Sequence, residues 1–115
     1  MAAQPIVLDS YIDPLLTLDV NVLGVGNIIA ASKNQQNLKS ILIVTSDKVY
    51  ENKEKKKMFL ETDKLGGEDP YSASKACAEI ISNSFYNSFL KTKGINLATA
   101  RAGNVIGGGD ISRHR

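Results

Sequence analysis

The length, composition and charge of this chain exclude several classes of protein. Its 115 residues allow one modest domain of ordinary water-soluble composition, with 43% hydrophobic and 23% charged residues and a net charge of +2, too small for a nucleic-acid-binding protein. Because Cys77 is its single cysteine and no apolar stretch reaches the ~20 residues that span a bilayer, we expect a cytoplasmic protein without disulfides, nucleic-acid partner or membrane span.

The first predicted element is a helix that begins at Pro14. Asp13 places a capping carboxylate directly before Pro14, whose missing N–H costs nothing at the first helical position. Five apolar residues recur at helical spacing before the pattern ends near residues 33–34: Leu15, Leu18, Val22, Val25 and Ile29. Gly24 and Gly26 each cost about 1 kcal/mol relative to alanine inside a helix, so they indicate close packing against a neighbouring element.

Two strands and a second helix are predicted after it. Residues 40–45 form a continuous apolar run and residues 95–100 a weaker one, a pattern typical of parallel strands covered on both faces. Between them, Asp69 caps a helix that begins at Pro70 and ends at Gly94. Its buried face is expected to use some combination of Cys77, Ile80, Ile81, Phe85 and Phe89. The order of these elements predicts an α/β fold with a parallel sheet.

The helix that begins at Pro70 carries a tyrosine and a lysine one turn apart, Tyr71 and Lys75. Residues four apart share one face of a helix, about 6 Å apart along its axis, so the ammonium of Lys75 can lie beside the ring of Tyr71 and favour the phenolate. A tyrosine that acts as a base near pH 7 needs its pKa lowered by roughly 3 units, on the order of 4 kcal/mol. The alternative reading of this spacing is a solvated helix face.

Polar residues follow both predicted strands. Ser46, Asp47 and Lys48 come directly after the first strand, and Arg101 and Asn104 come after the second. Ligands of parallel α/β sheets bind beyond the carboxyl ends of the strands. Together with the tyrosine–lysine pair, the hydroxyl, carboxylate and amine after the first strand therefore predict an acid–base site, with an ordinary polar turn as the alternative. No metal site is expected.

Three segments of the chain resemble consecutive signatures of one enzyme superfamily. They are residues 45–52 (TSDKVYEN), 65–79 (LGGEDPYSASKACAE) and 98–110 (ATARAGNVIGGGD). These segments are similar to motifs of the extended short-chain dehydrogenase/reductases, the NAD-dependent epimerases and dehydratases, and most resemble the CDP-glucose 4,6-dehydratase family. The resemblance covers nearly the whole chain and implies a partial Rossmann-like, doubly wound parallel sheet.

The resemblance implies a lyase that uses NAD without net turnover to convert CDP-glucose to its 4-keto-6-deoxy product. In the family, a tyrosine takes the proton of the sugar C4 hydroxyl while hydride passes to NAD; water then leaves across C5 and C6, and the hydride returns to C6. Carried over by position, Tyr71 is the base, Lys75 lowers its pKa and holds the nicotinamide ribose, and Ser46 hydrogen-bonds the C4 oxygen. Asp47 would protonate the departing C6 hydroxyl.

Lys48 stands where most sugar-nucleotide 4,6-dehydratases have a glutamate that removes the C5 proton, and the CDP-glucose branch is similar to this chain in having lysine. A lysine that acts as a base must be neutral, and burial beside other cations can lower a lysine pKa by up to ~3–5 units. The alternative is a charged lysine that neutralises Asp47 or polarises the ketone.

The same resemblance assigns residues near both ends of the chain. Residues 2–5 resemble the end of the family's fourth strand, so Ala2 and Ala3 would contact the cofactor. Asn104 resembles a residue on the nucleotide diphosphate side of the substrate, and Arg101 would order that loop and share in substrate binding. The glycines at 107–109 would admit a phosphate or serve as a hinge.

Two features of a dinucleotide site are absent from this sequence: the glycine-rich turn after a first strand and an acidic residue about 20 positions later. We therefore expect residues 1–115 to be the central to C-terminal half of an NAD-binding domain, without its glycine-rich half and most of the substrate domain.

Two functional classes stay open: a nucleotide-sugar 4,6-dehydratase or related epimerase, and a non-catalytic remnant that folds on a partner. Family dimers use the helices equivalent to those beginning at Pro14 and Pro70, so a homodimer is expected.

Overall fold

A computed structural model describes residues 2–51 and 58–109. Asn52 and Asp110, at the ends of two of the motifs, lie outside the described residues. Helix α1 is Val7–Ile12, and the segments Pro14–Leu18, Asp19–Leu23 and Gly24–Ser32 form one continuous helix, α2, whose middle segment is π-helical. Strand β1 is Ser40–Val44, followed by a 3-10 turn at Asp47–Val49. Helix α3 is Pro70–Phe85, continued by π-helical Tyr86–Leu90 and a 3-10 turn at Lys91–Lys93, and strand β2 is Asn96–Ala100.

The sheet in the described part of the chain has two parallel strands. Ser40 pairs with Asn96 and Val44 pairs with Ala100, so the carboxyl ends of β1 and β2 lie side by side. Parallel strands need a long crossover between them, and α3 lies within that crossover. The predicted α/β fold with a parallel sheet is confirmed.

The helix boundaries follow local signals in the sequence. The Asp13 carboxylate accepts a hydrogen bond from the backbone N–H of Leu16 at 2.9 Å, and the Asp69 carboxylate accepts one from Ser72 at the same distance. At the C-terminal end of the helical stretch that begins at Pro70, Gly94 adopts a left-handed conformation with φ of 69°, which glycine allows without strain. The two predicted helices and their end points are confirmed.

The main apolar core lies on one face of the sheet. Ile29 of α2, Leu90 and Ile95 are buried at its centre, and Ile41 and Ile43 of β1 pack against them. Successive residues of a strand point to opposite faces, so Leu42 faces the other way and is 63% exposed. The prediction that the strands are covered on both faces is therefore wrong for this chain, because both helices pack on the same side.

The buried face of α3 agrees with the predicted one only in part: Phe85 is half-buried and packs against the main apolar core. None of the five apolar residues expected there is fully buried, and Ile80 and Phe89 are 57% and 43% exposed. The fully buried row consists instead of small residues, with Ser74, Ala78 and Ser82 spaced four residues apart. Small side chains allow α2 to approach closely, and this close approach decides which face of α3 is buried.

The segment before α2 was not correctly predicted. Residues 2–5 lie outside any strand, and α1 forms where no sequence pattern indicated a helix. The side-chain amide of Asn21 pairs with the backbone of Gln4 instead, accepting from its N–H at 2.9 Å and donating to its carbonyl at 3.0 Å. This amide satisfies the two backbone groups that a neighbouring strand would otherwise satisfy.

The helix Pro14–Ser32 is long and apolar enough, by length and composition, to cross a membrane. That finding contradicts the expectation that no stretch of the chain meets this test. A core helix of a water-soluble protein can also meet it, but only 17% of the apolar window of this helix is buried; the buried part includes Asn21, which is hydrogen-bonded to Gln4 and Ser74. The absence of a membrane span stays a prediction.

Gly67 lies where the loop meets the first turn of α3. A Cβ at this position would lie 2.3 Å from the backbone carbon of Ser72 and 2.4 Å from the nitrogen of Ala73. Because these are backbone atoms, Gly67→Ala is expected to destabilise the fold by about 1–3 kcal/mol, as overpacking typically does. Urea unfolding measures this loss. Gly107→Ala is the control, since its Cβ would meet open space; an equal loss in both variants would contradict the steric argument.

Candidate active site

The predicted site residues lie beyond the carboxyl ends of the two strands. Hydrogen bonds continue past the strands here: Thr45 N–H donates to the Ala100 carbonyl at 2.8 Å, and Asp47 N–H donates to the Ala102 carbonyl at 2.9 Å. The 3-10 turn at Asp47–Val49 is therefore anchored to the chain that leaves β2. This is the edge of a parallel sheet where ligands bind.

The turn after β1 presents a hydroxyl, a carboxylate and an amine in succession. Ser46 is buried; its Oγ accepts from the backbone N–H of Lys48 at 3.2 Å and donates to Oδ1 of Asp47 at 3.1 Å. Asp47 and Lys48 are exposed. A Cβ on Gly103 would lie 3.5 Å from Oδ2 of Asp47, so the segment that carries the exposed Asn104 passes next to this turn.

Tyr71 lies in the first turn of α3, and two amines lie near its ring. The Nζ of Lys75 is 5.9 Å from the ring centroid, and the Nζ of Lys48 is 6.0 Å from it. The backbone N–H of Tyr71 donates to Oγ of Ser10 at 3.2 Å, which ties α1 to the start of α3. The structure therefore brings the three residues together, and their catalytic roles stay predictions.

Lys75 is a buried cation, and its pKa is lowered from the ordinary value because burial disfavours the charged form. Within residues 2–51 and 58–109, no carboxylate forms an ion pair with it. A buried ammonium of this kind retains donors for a hydroxyl-bearing ligand.

A buried ion pair that the sequence reasoning missed lies one turn beyond Lys75. Glu79 is 4% exposed, and its carboxylate accepts from Nε and Nη2 of Arg101 at 2.8 and 2.6 Å and from Oγ1 of Thr45 at 2.7 Å. Burial by itself would raise the pKa of Glu79, but the hydrogen bonds from Arg101 and Thr45 lower it on balance. Glu79 in turn raises the pKa of Arg101.

Arg101 has further partners inside the chain. Its Nη1 donates to the backbone carbonyl of Glu61 at 3.0 Å, and its guanidinium carbon lies 4.7 Å from the ring centroid of Tyr50. The predicted roles of Arg101, in ordering the loop after β2 and in substrate binding, both stay predictions.

The predicted cofactor residues lie at the start of the chain. Ala2 and Ala3 are exposed, directly before the segment that Asn21 holds. The amide of Asn21 donates to Oγ of Ser74 at 3.0 Å, and Ser74 donates to the carbonyl of Tyr71 at 2.7 Å. Sequence reasoning assigned no role to Asn21, although an asparagine in the middle of an apolar helix is a signal of a buried polar contact.

Stability is expected to depend on pH through Glu79. Because its folded-state pKa lies below the ordinary value of 4.5, the carboxylate stabilises the fold above that pH, and the contribution is lost as pH falls through the folded-state pKa. The free energy of unfolding, measured with urea, should therefore decline from pH 7 to pH 3, and Glu79→Gln should make this decline smaller. The exposed Glu68 offers the matched control, Glu68→Gln, which should keep the decline. An undiminished decline in Glu79→Gln would contradict this assignment.

Comparison with known proteins places the chain in a family. Residues 1–107 match a family model described as GDP-mannose 4,6 dehydratase. The chain is 44% identical over 120 aligned residues to CDP-glucose 4,6-dehydratase of Salmonella typhimurium, a match that covers 100% of this chain and 33% of that protein. It is also 30% identical over 113 residues to an uncharacterized protein of Schizosaccharomyces pombe, covering 92% of this chain and 30% of the relative. The chain thus spans about a third of the curated relatives it matches.

Solved structures share the same fold. RMD from Pseudomonas aeruginosa, complexed with NADPH, matches with a TM-score of 0.81 and 30% identity, covering 96% of this chain and 37% of that one. UDP-glucose 4-epimerase from Thermus thermophilus, complexed with NAD, matches with a TM-score of 0.79 and 28% identity, covering 93% of this chain and 33% of that one. The predicted Rossmann-like fold is confirmed, and the chain belongs to the GDP-mannose 4,6 dehydratase family of the extended short-chain dehydrogenase/reductases.

Proposed function

We propose that this chain supplies the catalytic residues of an NAD-dependent nucleotide-sugar 4,6-dehydratase that acts on CDP-glucose. The observation that carries the proposal is that the amines of Lys48 and Lys75 both lie about 6 Å from the ring centroid of Tyr71, with Lys48 on the turn that follows the first of two parallel strands. The 44% identity to CDP-glucose 4,6-dehydratase supports the substrate. A cytoplasmic location goes with this activity as part of the proposal.

The donors around Tyr71 fit NAD. Lys75 is a buried ammonium without a carboxylate partner among the described residues, and the hydroxyls of a ribose are suitable acceptors for it. Lys75 and Tyr71 would hold the nicotinamide ribose, and Ala2 and Ala3 would line the cofactor. Bound NAD would supply the hydride acceptor for C4 and the hydride donor for C6.

Oxidation at C4 needs a base for the hydroxyl proton. Tyr71 takes that proton as a phenolate, which the nearby ammonium of Lys75 favours over the neutral phenol. Ser46, whose Oγ donates to Asp47 in the free chain, would donate to the C4 oxygen of the bound sugar. The resulting 4-keto group makes the hydrogen at C5 acidic.

Loss of water needs an acid and a base on the same turn. Lys48 removes the C5 proton, the C6–oxygen bond breaks, and Asp47 protonates the departing hydroxyl as water. Both side chains are exposed on the turn after β1, where a bound sugar can reach them. The alternative for Lys48, a charged lysine that polarises the ketone, would leave the C5 proton to another base.

The Asp47–Lys48 pair favours a dehydratase over the second candidate, a sugar-nucleotide epimerase of the same superfamily. An epimerase needs the hydroxyl, tyrosine and lysine but has no water to eliminate. Solved epimerases share this fold at a TM-score of 0.79 and 28% identity, so the fold does not distinguish the two activities.

Substitution of Lys48 separates the two chemical steps. Lys48→Ala is expected to oxidise C4 of CDP-glucose and accumulate NADH, while elimination of water falls by about 10²–10⁴-fold, the contribution of a positioned base. NADH absorbance follows the first step and mass spectrometry of the sugar nucleotide follows the second. Lys64→Ala, a substitution of another exposed lysine, is the control and should retain both steps. Equal loss of both steps in Lys48→Ala would refute the role given to Lys48.

Lack of NAD binding and of turnover by the unsubstituted chain would instead support the alternative, a non-catalytic remnant that acts only by association.

We further propose that the chain forms a homodimer through α2 and α3. Several large apolar side chains on these helices are exposed and would be covered in such a dimer: Leu15, Leu16, Leu23, Ile28 and Ile80.

A further inference from the structure

We propose that the Glu79–Arg101 ion pair is a positioning device that holds the turn carrying Ser46 and Lys48 over Tyr71, and so determines where the Lys48 amine lies. The chemical meaning of this inference rests on the proposed function, but its test uses neither substrate nor cofactor. The alternative is that the ion pair contributes only to stability.

Glu79 and Tyr71 lie on the same rigid helix. Tyr71, Lys75 and Glu79 are spaced four residues apart on α3, so they lie along one face of the helix. Eight residues of α-helix span about 12 Å, and hydrogen bonds within the helix keep that distance constant. A group bound to Glu79 is therefore held at a set distance from Tyr71.

The carboxylate of Glu79 binds the ends of both strands. Oε1 accepts from Thr45 at 2.7 Å and from Nε of Arg101 at 2.8 Å, and Oε2 accepts from Nη2 of Arg101 at 2.6 Å. Thr45 directly precedes Ser46, and Arg101 directly follows β2. The sheet cannot slide along α3 without breaking these charge-assisted bonds.

The same ion pair also contacts the residue that follows the turn carrying Ser46 and Lys48. Tyr50 directly follows the 3-10 turn at Asp47–Val49, and its ring lies 4.7 Å from the guanidinium carbon of Arg101. The residue before Ser46 therefore contacts Glu79, and the residue after Val49 contacts Arg101. Both ends of the turn depend on one pair of side chains.

The two amines beside Tyr71 differ in this dependence. Lys48 belongs to the turn at Asp47–Val49, and its Nζ lies 6.0 Å from the ring centroid of Tyr71. Lys75 belongs to α3, the helix that also carries Tyr71, and its Nζ lies 5.9 Å from the same centroid. Loss of the Glu79–Arg101 geometry should displace Lys48 and leave Lys75 in place. Lys75 is thus an internal control for an effect on position.

The test measures ionisation of Tyr71 by NMR in the full chain labelled with ¹³C at the tyrosine ring, with Tyr71→Phe used to assign the signal. In the otherwise unaltered chain, Lys48→Met and Lys75→Met should each raise the pKa of Tyr71, because each removes a cation beside the ring. In an Arg101→Lys background, which keeps the charge but loses the bidentate fork, the effect of Lys48→Met should disappear and that of Lys75→Met should persist.

A second background, Thr45→Val, removes only the hydroxyl that binds Glu79, and it should reduce the Lys48→Met effect in the same direction. It also replaces Arg101→Lys if that variant does not fold. A Lys48→Met effect that is unchanged in the folded background variants would overturn the proposal, as would the absence of any Lys48→Met effect in the unaltered chain. Lack of dehydratase activity would refute the proposed function without altering this titration.

Discussion

Glu79→Ala is expected to destabilise the chain by about 3–5 kcal/mol, the cost of removing one partner from a buried ion pair. The substitution leaves the guanidinium of Arg101, whose side chain is 17% exposed, without its carboxylate, and it leaves the hydroxyl of Thr45 without its acceptor. At 1.4 kcal/mol for each factor of ten, the folding equilibrium constant should fall by roughly 10²-fold to 4 × 10³-fold. Urea unfolding followed by circular dichroism measures the change.

A surface ion pair of the same chain supplies the matched control. Lys64 and Glu51 lie 3.2 Å apart, and the side chain of Lys64 is 75% exposed. Lys64→Ala should cost no more than about 1 kcal/mol, because water and salt screen an exposed pair. A similar loss in Lys64→Ala and Glu79→Ala would show that burial does not set the strength of the Glu79–Arg101 interaction.

On the proposed function, Tyr71→Phe is expected to slow oxidation at C4 by about 10²–10⁴-fold, the usual contribution of a positioned general base. The phenylalanine ring can still occupy the position near Lys48 and Lys75, so the fold should be retained while the proton acceptor is lost. Stopped-flow measurement of NADH formation from CDP-glucose gives the rate, and circular dichroism gives the folded state.

Tyr11→Phe is the control for this substitution, because Tyr11 is an exposed tyrosine of α1. It removes the same hydroxyl group from a residue without an assigned role and should leave the rate unchanged. Wild-type oxidation by Tyr71→Phe would exclude Tyr71 as the base. A loss of rate in both variants would point to a defect in folding.

Much of the candidate site could be predicted because its signals are local. The four-residue spacing of Tyr71 and Lys75 fixes their proximity as soon as α3 forms. The position of Ser46 and Lys48 after a strand predicts which edge of the sheet they occupy. That Lys48 joins Lys75 near the same ring could not be predicted, because it depends on how the turn packs against α3.

The exposed faces of the elements could not be predicted either. The apolar run in β1 is compatible with cover on one face or on both, and only packing shows that Leu42 is exposed. Helix α3 buries Ser74 and Ser82 in place of its larger apolar residues, because the close approach of α2 selects small side chains. The pairing of Asn21 with the backbone of Gln4 depends on a contact across 17 residues.

The sequence by itself determined where the two long helices begin and end, which segments are strands, and which residues are the candidates for acid–base chemistry. Capping carboxylates at Asp13 and Asp69, the glycine at 94 and the helical spacings act within a few residues, so a linear reading detects them. Only the tertiary structure decided that Glu79 joins Thr45, 34 residues away, to Arg101, 22 residues away. Such contacts form because desolvated charges need partners, and the partner is set by which chain ends the fold brings together.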